Sequence, residues 1–332
     1  PSAGRRGLST GLQSHAQTAP ARRSPGLADP GFHPARRYSR DLKGVRMSPA
    51  TATTTEALLS AAQLADWQRD GYLIVRGVFS ADEIAALAAR FAELAAGPAI
   101  PDHWDAKPDS PDPLQRFPRM TQPHRFDALS KAMLLHPRVG AILRQLLGEE
   151  AWAVQSMYYF KPTGARGQAL HQDDFYLQTK PRPCIAAWTA VDPSLPENGG
   201  LFVVPGTGDL DLACPGLAEE GESFTTHFVR PPAGKTAIPA RLQPGDTLFF
   251  GGKVIHGSQP NRHPTLWRRS FICHYVPASS RSLAQWFHPV LNFAGEACPL
   301  AIGQDGGPCG EAFTPFWASL SEEERRRRAT SF

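Results

Sequence analysis

From Ala151 onward the chain is built of short runs of β-branched, aromatic and apolar residues, each closed by proline or glycine. The runs are Ala153–Phe160, Ala169–Leu177, Ile185–Val191, Gly200–Val204, Thr236–Leu242, Thr247–Phe250 and Ser270–Val276. Many strand-length segments separated by turn signals predict a sandwich or a jelly roll.

The preceding stretch follows a helical period. Ala61 to Asp70 reads as a helix stopped by Gly71, followed by a strand over Tyr72–Val75. Ser80-Ala81-Asp82-Glu83 is a capping box, opening a helix with Ile84, Leu87, Phe91 and Leu94 on one face. After a proline-rich connection, Pro98 to Pro123, a second amphipathic helix carries Val139, Ile142, Leu143, Leu146 and Leu147 and ends at Gly148. Helices first and strands afterwards predict a mainly β fold with flanking helices. In this reading 51–332 is one domain: a helical layer over 58–150, a β core over 151–278 and a C-terminal segment over 279–332. Phe313–Phe332 reads as a helix within that segment, with Glu322–Arg328 as a solvated charged face.

Residues 1–50 lack apolar periodicity and are expected to be disordered. We read 1–46 as upstream sequence before a native start at Met47; the alternative is an arginine-rich organellar transit peptide. The basic balance is local, since 1–46 carries +7 against +4 for the whole chain, which leaves the body mildly acidic at about −3. A nucleic-acid partner is therefore not expected. No apolar stretch reaches the length of a membrane span, and none of the five cysteines forms a C-x-x-C pair. These features predict a soluble cytoplasmic protein without disulfides, a monomer or homodimer acting on a small molecule.

Chemistry is concentrated in Leu170-His171-Gln172-Asp173-Asp174-Phe175-Tyr176. On a strand, His171 and Asp173 would share one face while Gln172 and Asp174 turn away. His256, in Val254-Ile255-His256-Gly257-Ser258, follows a later strand and supplies a third candidate ligand. Two histidines and a carboxylate leave adjacent positions of an iron open, which suits Fe(II) oxygenases. A second triplet, His103-Trp104-Asp105, lies in a turn-rich stretch and reads as loop. Arg268 and Arg269 begin the strand after His256, and alternation lets only one of them point inward. A buried guanidinium needs an acceptor, and its fork suits a carboxylate.

The chain is similar to the phytanoyl-CoA dioxygenase family in motifs spread from about residue 58 to 278. They are Asp70 to Gly77, His136-Pro137-Arg138-Val139, Gln155 through Lys161-Pro162, His171-Gln172-Asp173 and Ala187-Trp188-Thr189-Ala190. Asn198-Gly199-Gly200-Leu201, Pro205-Gly206-Thr207, Pro244-Gly245-Asp246-Thr247 and His256-Gly257-Ser258 complete the set. The resemblance implies a double-stranded β-helix core of the jelly-roll or cupin-like type, with His171, Asp173 and His256 as Fe(II) ligands. It further implies 2-oxoglutarate and O2 as co-substrates, with ascorbate as a stimulant. Arg268 matches the arginine that follows the second histidine, with Arg269 as the fallback. Ser258 and Trp188 match positions lining the 2-oxoglutarate pocket, and Gln155 and Tyr159 match positions that bind the co-substrate. Gly208 stands where many members have a histidine, and the presence of Asp173 argues against halogenation.

The expected reaction is hydroxylation of a metabolite with release of succinate and CO2. The connections Pro98–Pro123 and Asp209–Lys235 are expected to shape the pocket mouth, with Trp104, Phe175, Tyr176 and Trp286 as candidate lining residues. Two other classes compete: a cupin-like zinc enzyme and a non-catalytic jelly-roll binding protein. Neither has a use for Arg268 or Ser258.

Overall fold

The computed structural model describes residues 58–303. Within it the capping signals act as their chemistry dictates. Ser60 and Gln63 cap the helix Ala61–Asp70, which stops at Gly71 with φ +77°. Ser80 and Glu83 exchange backbone hydrogen bonds at 2.8 and 3.3 Å and open Ala81–Ala96, which buries Ile84, Leu87 and Phe91. Pro137–Leu147 begins on a proline and buries Val139, Ile142, Leu143 and Leu146.

The helices cover one face of an eight-stranded sheet. Its path runs Tyr72–Val75, Thr247–Gly251, Ile185–Ala190, Ser270–Pro277, Ala151–Tyr159, Val290–Leu291 and Ala297–Cys298, with Met120–Thr121 also paired to Ala151–Tyr159. A second sheet orders Gln168–His171, His256–Ser258, Leu201–Val203 and Ile238–Pro239. The large sheet is buried on both sides, so its strands alternate between two cores rather than between core and water. Tyr158, Phe249, Phe271 and Tyr275 pack with Leu87, Phe91 and Leu143 of the helices. Trp188, Leu248, Phe250 and Ile272 face the other way and pack with Leu201 and Val203 of the small sheet. This is the expected jelly roll with flanking helices.

Phe91 ties the helical layer down: its ring stacks on Tyr158 with centroids 3.8 Å apart, and it is fully buried. Truncation to alanine would leave a cavity where neither sheet nor helix can collapse. Phe91→Ala is expected to cost about 3–5 kcal/mol, measured by denaturant unfolding.

Several expectations need correction. The strand predicted over Ala169–Leu177 is Gln168–His171 only; the chain then turns into a single helical turn, Asp174–Leu177. Thr236–Leu242 is a strand only at Ile238–Pro239, with a separate bridge from Leu242 to Ser194, and Gly200–Val204 is a strand only at Leu201–Val203. The small sheet's strands are too short to carry a readable alternation. Tyr72–Val75, counted with the helical layer, is an edge strand of the large sheet. Cys214 is disulfide-bonded, while Cys184, Cys273 and Cys298 are free. The absence of C-x-x-C pairs gave no warning of this, because a disulfide requires no local spacing. No helix among the described residues is long and apolar enough to cross a membrane. Residues 1–50 and the predicted helix over Phe313–Phe332 lie outside the described residues.

Candidate active site

A cavity of about 1570 Å³ opens between the inner faces of the two sheets. The two long connections help to wall it, with Ile100, Trp104 and Arg119 from one and Leu217, Phe224 and His227 from the other. Trp104, Phe175, Tyr176 and Trp286 all line it, although Trp104 is 3% exposed and belongs mainly to the core under the helices.

His171 ends one strand of the small sheet and is paired directly with His256 at the start of the next. Their rings stand 4.2 Å apart, centroid to centroid. Asp173 reaches them by a different route from the one expected. Its backbone is right-handed helical, with φ −63° and ψ −36°, so the turn after His171 presents the carboxylate, not the pleat of a strand. Gln172 and Asp174 do turn away. Gln172 donates to the Lys253 carbonyl at 2.8 Å, and Asp174 accepts from the Cys184 amide at 3.1 Å. The strands also approach closely at Gly257, where a Cβ would stand 2.7 Å from the Gln168 carbonyl oxygen. No larger residue would let His256 sit beside His171.

One ligand atom from each of His171, Asp173 and His256 lies within 4.8 Å of the other two, and all three side chains are buried. The imidazoles are set as ligands by backbone carbonyls. Nδ1 of His171 donates to Ala169 O at 2.9 Å, and Nδ1 of His256 to Val254 O at 3.0 Å. Each Nε2 therefore keeps its lone pair, and the two stand 3.3 and 3.6 Å from the Asp173 carboxylate. The Gln168 amide donates into the His171 Nε2 lone pair at 3.0 Å, as this tautomer requires. Burial alone would raise the Asp173 carboxyl, but the histidines around it, His256 and His274 foremost, hold it well below the usual range. Burial is the main cause that lowers His256 to about 4. At neutral pH the set thus includes a charged carboxylate and an uncharged His256, as a divalent metal needs.

The two arginines have separate tasks. Arg269 forms a bidentate pair with Asp192 at 2.7 and 2.8 Å. Arg268 is 3% exposed and lines the cavity, its guanidinium 5.3 Å from the Trp188 ring. Nε donates to Gly199 O at 3.1 Å and one terminal nitrogen to Ser270 Oγ at 2.9 Å, so three of its N–H donors are unassigned. Burial lowers it to about 10, offset only in part by Tyr159 and Asp192, and no carboxylate among the described residues forms an ion pair with it. Ser258 Oγ accepts from Lys161 Nζ at 3.0 Å and from the Gln168 amide at 3.2 Å, which leaves its own proton to give. Gln155 and Tyr159 line the same cavity. All eight residues singled out from sequence therefore meet at one place, whereas His103 and Asp105 line the cavity without joining the ligand group.

Three residues were given no role from sequence. His274 donates from Nε2 to Asp173 Oδ2 at 3.0 Å, and its Nδ1 is buried without a partner. Its signal was the even spacing from Arg268 along one strand face. Lys161 is buried behind Ser258, holding Gly199 O and Gln259 O as well as the serine. Arg119 lines the cavity from the 98–123 connection.

The profile of the family described as Phytanoyl-CoA dioxygenase (PhyH) matches residues 67–270, which is most of the described fold and includes the whole metal set. The chain belongs to the phytanoyl-CoA dioxygenase family. As a member it is an iron- and 2-oxoglutarate-dependent dioxygenase. It is 26% identical over 283 residues to phytanoyl-CoA dioxygenase domain-containing protein 1 of Mus musculus, covering 70% of this chain and 96% of that protein. It is 25% identical over 317 residues to ectoine dioxygenase of Sphingopyxis alaskensis, covering 84% and 98% of the two chains. Among solved structures, EctD from S. alaskensis with bound Fe superposes with a TM-score of 0.59 at 25% identity, over 78% of this chain and 92% of that one. The epimerase SnoN in complex with Fe3+, alpha ketoglutarate and nogalamycin RO shares the fold, with a TM-score of 0.53 at 22% identity, over 66% and 84%. The donor set here fits the family's metal: two imidazoles and one carboxylate gather on one side, and the other side faces the cavity.

Proposed function

We propose that this dioxygenase hydroxylates a small organic metabolite. In this reading His171, Asp173 and His256 hold the iron, and Arg268 and Ser258 hold the distal carboxylate of 2-oxoglutarate. The observation that carries it is the buried guanidinium of Arg268, which has spare donors and no carboxylate, in the same cavity as the ligand set. A buried cation of this kind is costly unless a partner arrives. A dicarboxylate with one end at the metal supplies that partner.

When bound, iron and 2-oxoglutarate together supply the oxidising chemistry, with succinate and CO2 as products. The chain's residues bind, orient and exclude water. Trp188 lies against the Arg268 guanidinium, and Lys161 holds the Ser258 oxygen so that its proton turns to the co-substrate. Gln155 and Tyr159 complete the co-substrate wall. Relatives named for ectoine, and a neighbour solved with nogalamycin RO, support a small-molecule substrate rather than a macromolecule.

His274 fixes which way the Asp173 carboxylate turns. His274→Phe is expected to weaken Fe(II) binding by about 10–100-fold, read by anaerobic metal titration, with His274→Gln restoring part of it. The reading as a whole is tested by anaerobic titration with Fe(II) and 2-oxoglutarate, followed through the weak visible metal-to-ligand charge-transfer band. The band is expected in wild type and absent in His171→Ala. Folded wild-type protein that binds metal but shows no band would overturn the assignment.

A further inference from the structure

The cavity contains a second arginine that the co-substrate does not need. Arg119 leads into the Met120–Thr121 strand at the end of the 98–123 connection. Its guanidinium donates to the Tyr159 hydroxyl at 3.2 Å and stands 6.0 Å from the centre of the Phe224 ring. Arg119 is exposed and lines the cavity. Asp105 lines the same cavity without an ion pair to Arg119, and the ionisable side chains beside the guanidinium are the phenols of Tyr159 and Tyr176.

A guanidinium held by one phenol and one ring face keeps most of its fork free. It is fixed in direction by those two contacts, so it can receive a carboxylate bidentately at little further entropic cost. In the proposed reading both ends of 2-oxoglutarate are already taken, one by the metal and the other by Arg268 and Ser258. We infer that the substrate is a small carboxylic acid whose carboxylate is received by Arg119. The apolar body of that acid would lie along Phe175, Tyr176 and Phe224, which face the cavity near the metal set. This inference rests on the iron and 2-oxoglutarate reading and names the substrate class for it.

The test uses the full chain loaded with Zn(II) as a diamagnetic stand-in and saturated with 2-oxoglutarate, so that fragments cannot occupy the co-substrate's place. Calorimetry first establishes that 2-oxoglutarate binds the metal-loaded protein; failure there is a failure of the proposed function, not of this inference. A panel of matched triplets, each an arylalkyl acid with its primary amide and its amine, is then screened by ligand-observed NMR. Acids are expected to dominate the hits. Their affinity should fall at least about tenfold in Arg119→Gln and be partly kept in Arg119→Lys, while 2-oxoglutarate affinity stays unchanged. Three outcomes would overturn the inference: no acid binds, amides or amines bind as well as acids, or Arg119→Gln loses 2-oxoglutarate instead.

Discussion

Asp173→Ala is expected to abolish 2-oxoglutarate turnover and to leave the protein folded. The substitution removes one of three ligands and the only anion between three imidazoles. A two-histidine remnant cannot hold iron in a fixed geometry, so metal content after gel filtration should drop to background. The structural cost is modest by comparison. His274 Nε2 loses its acceptor in a buried place, worth about 1–3 kcal/mol. Asp173 is a member of neither the inter-sheet core around Trp188 and Phe250 nor the helix-facing core around Phe91. Circular dichroism should therefore match wild type while succinate release is lost. Full turnover in this variant would remove Asp173 from the ligand set.

The second large effect separates neighbours in sequence. Arg268→Ala should raise the 2-oxoglutarate requirement by about 100-fold, the equivalent of losing roughly 3 kcal/mol of charge-assisted hydrogen bonding. Arg269→Ala should leave that requirement unchanged. Its guanidinium is bound to Asp192, with side chains 32% and 16% exposed, so its loss should appear as reduced stability of about 1 kcal/mol. Steady-state kinetics with varied 2-oxoglutarate, run beside thermal melts, distinguishes the two. The reverse pattern would transfer the anchor to Arg269.

How much of this was legible beforehand depended on where the information lay. The helices were readable because capping boxes at Ser80 and a left-handed stop at Gly71 are local devices. The long strands of the large sheet were readable too, since Ile185–Ala190 and Ser270–Pro277 are buried on both faces and read as continuous apolar runs. The small sheet was legible only in outline. Its strands of two to four residues are set by pairing partners far away in sequence. The three candidate ligands were named from their spacing and resemblance and do come together, but strand alternation was the wrong reason, because a helical turn presents Asp173. Arg268 and Arg269 could be ranked only by register; Asp192 separates them in space. His274 and Arg119 escaped because a hydrogen bond to Asp173 and a place on a cavity wall are properties of the folded chain.

The ladder between Ala151–Tyr159 and Ser270–Pro277 has an irregularity after His274: it pairs with Gln155, while Tyr275 pairs with Ala153. Val154 is thus an extra residue in the strand. Before this bulge the odd-numbered Ala151 and Ala153 face the helices; after it the even-numbered Tyr158 does, while Gln155, Met157 and Tyr159 face the cavity. The frame of the catalytic wall is consequently set by a single inserted residue. Deleting Val154 would remove no catalytic group, yet it would shift the reading frame of half the strand. Gln155 would then be turned towards the helices, or the pairing would slip by one position along its whole length. Loops around this ladder can change length without altering it, but a residue gained or lost here would change which side chains of Ala151–Tyr159 face the cavity.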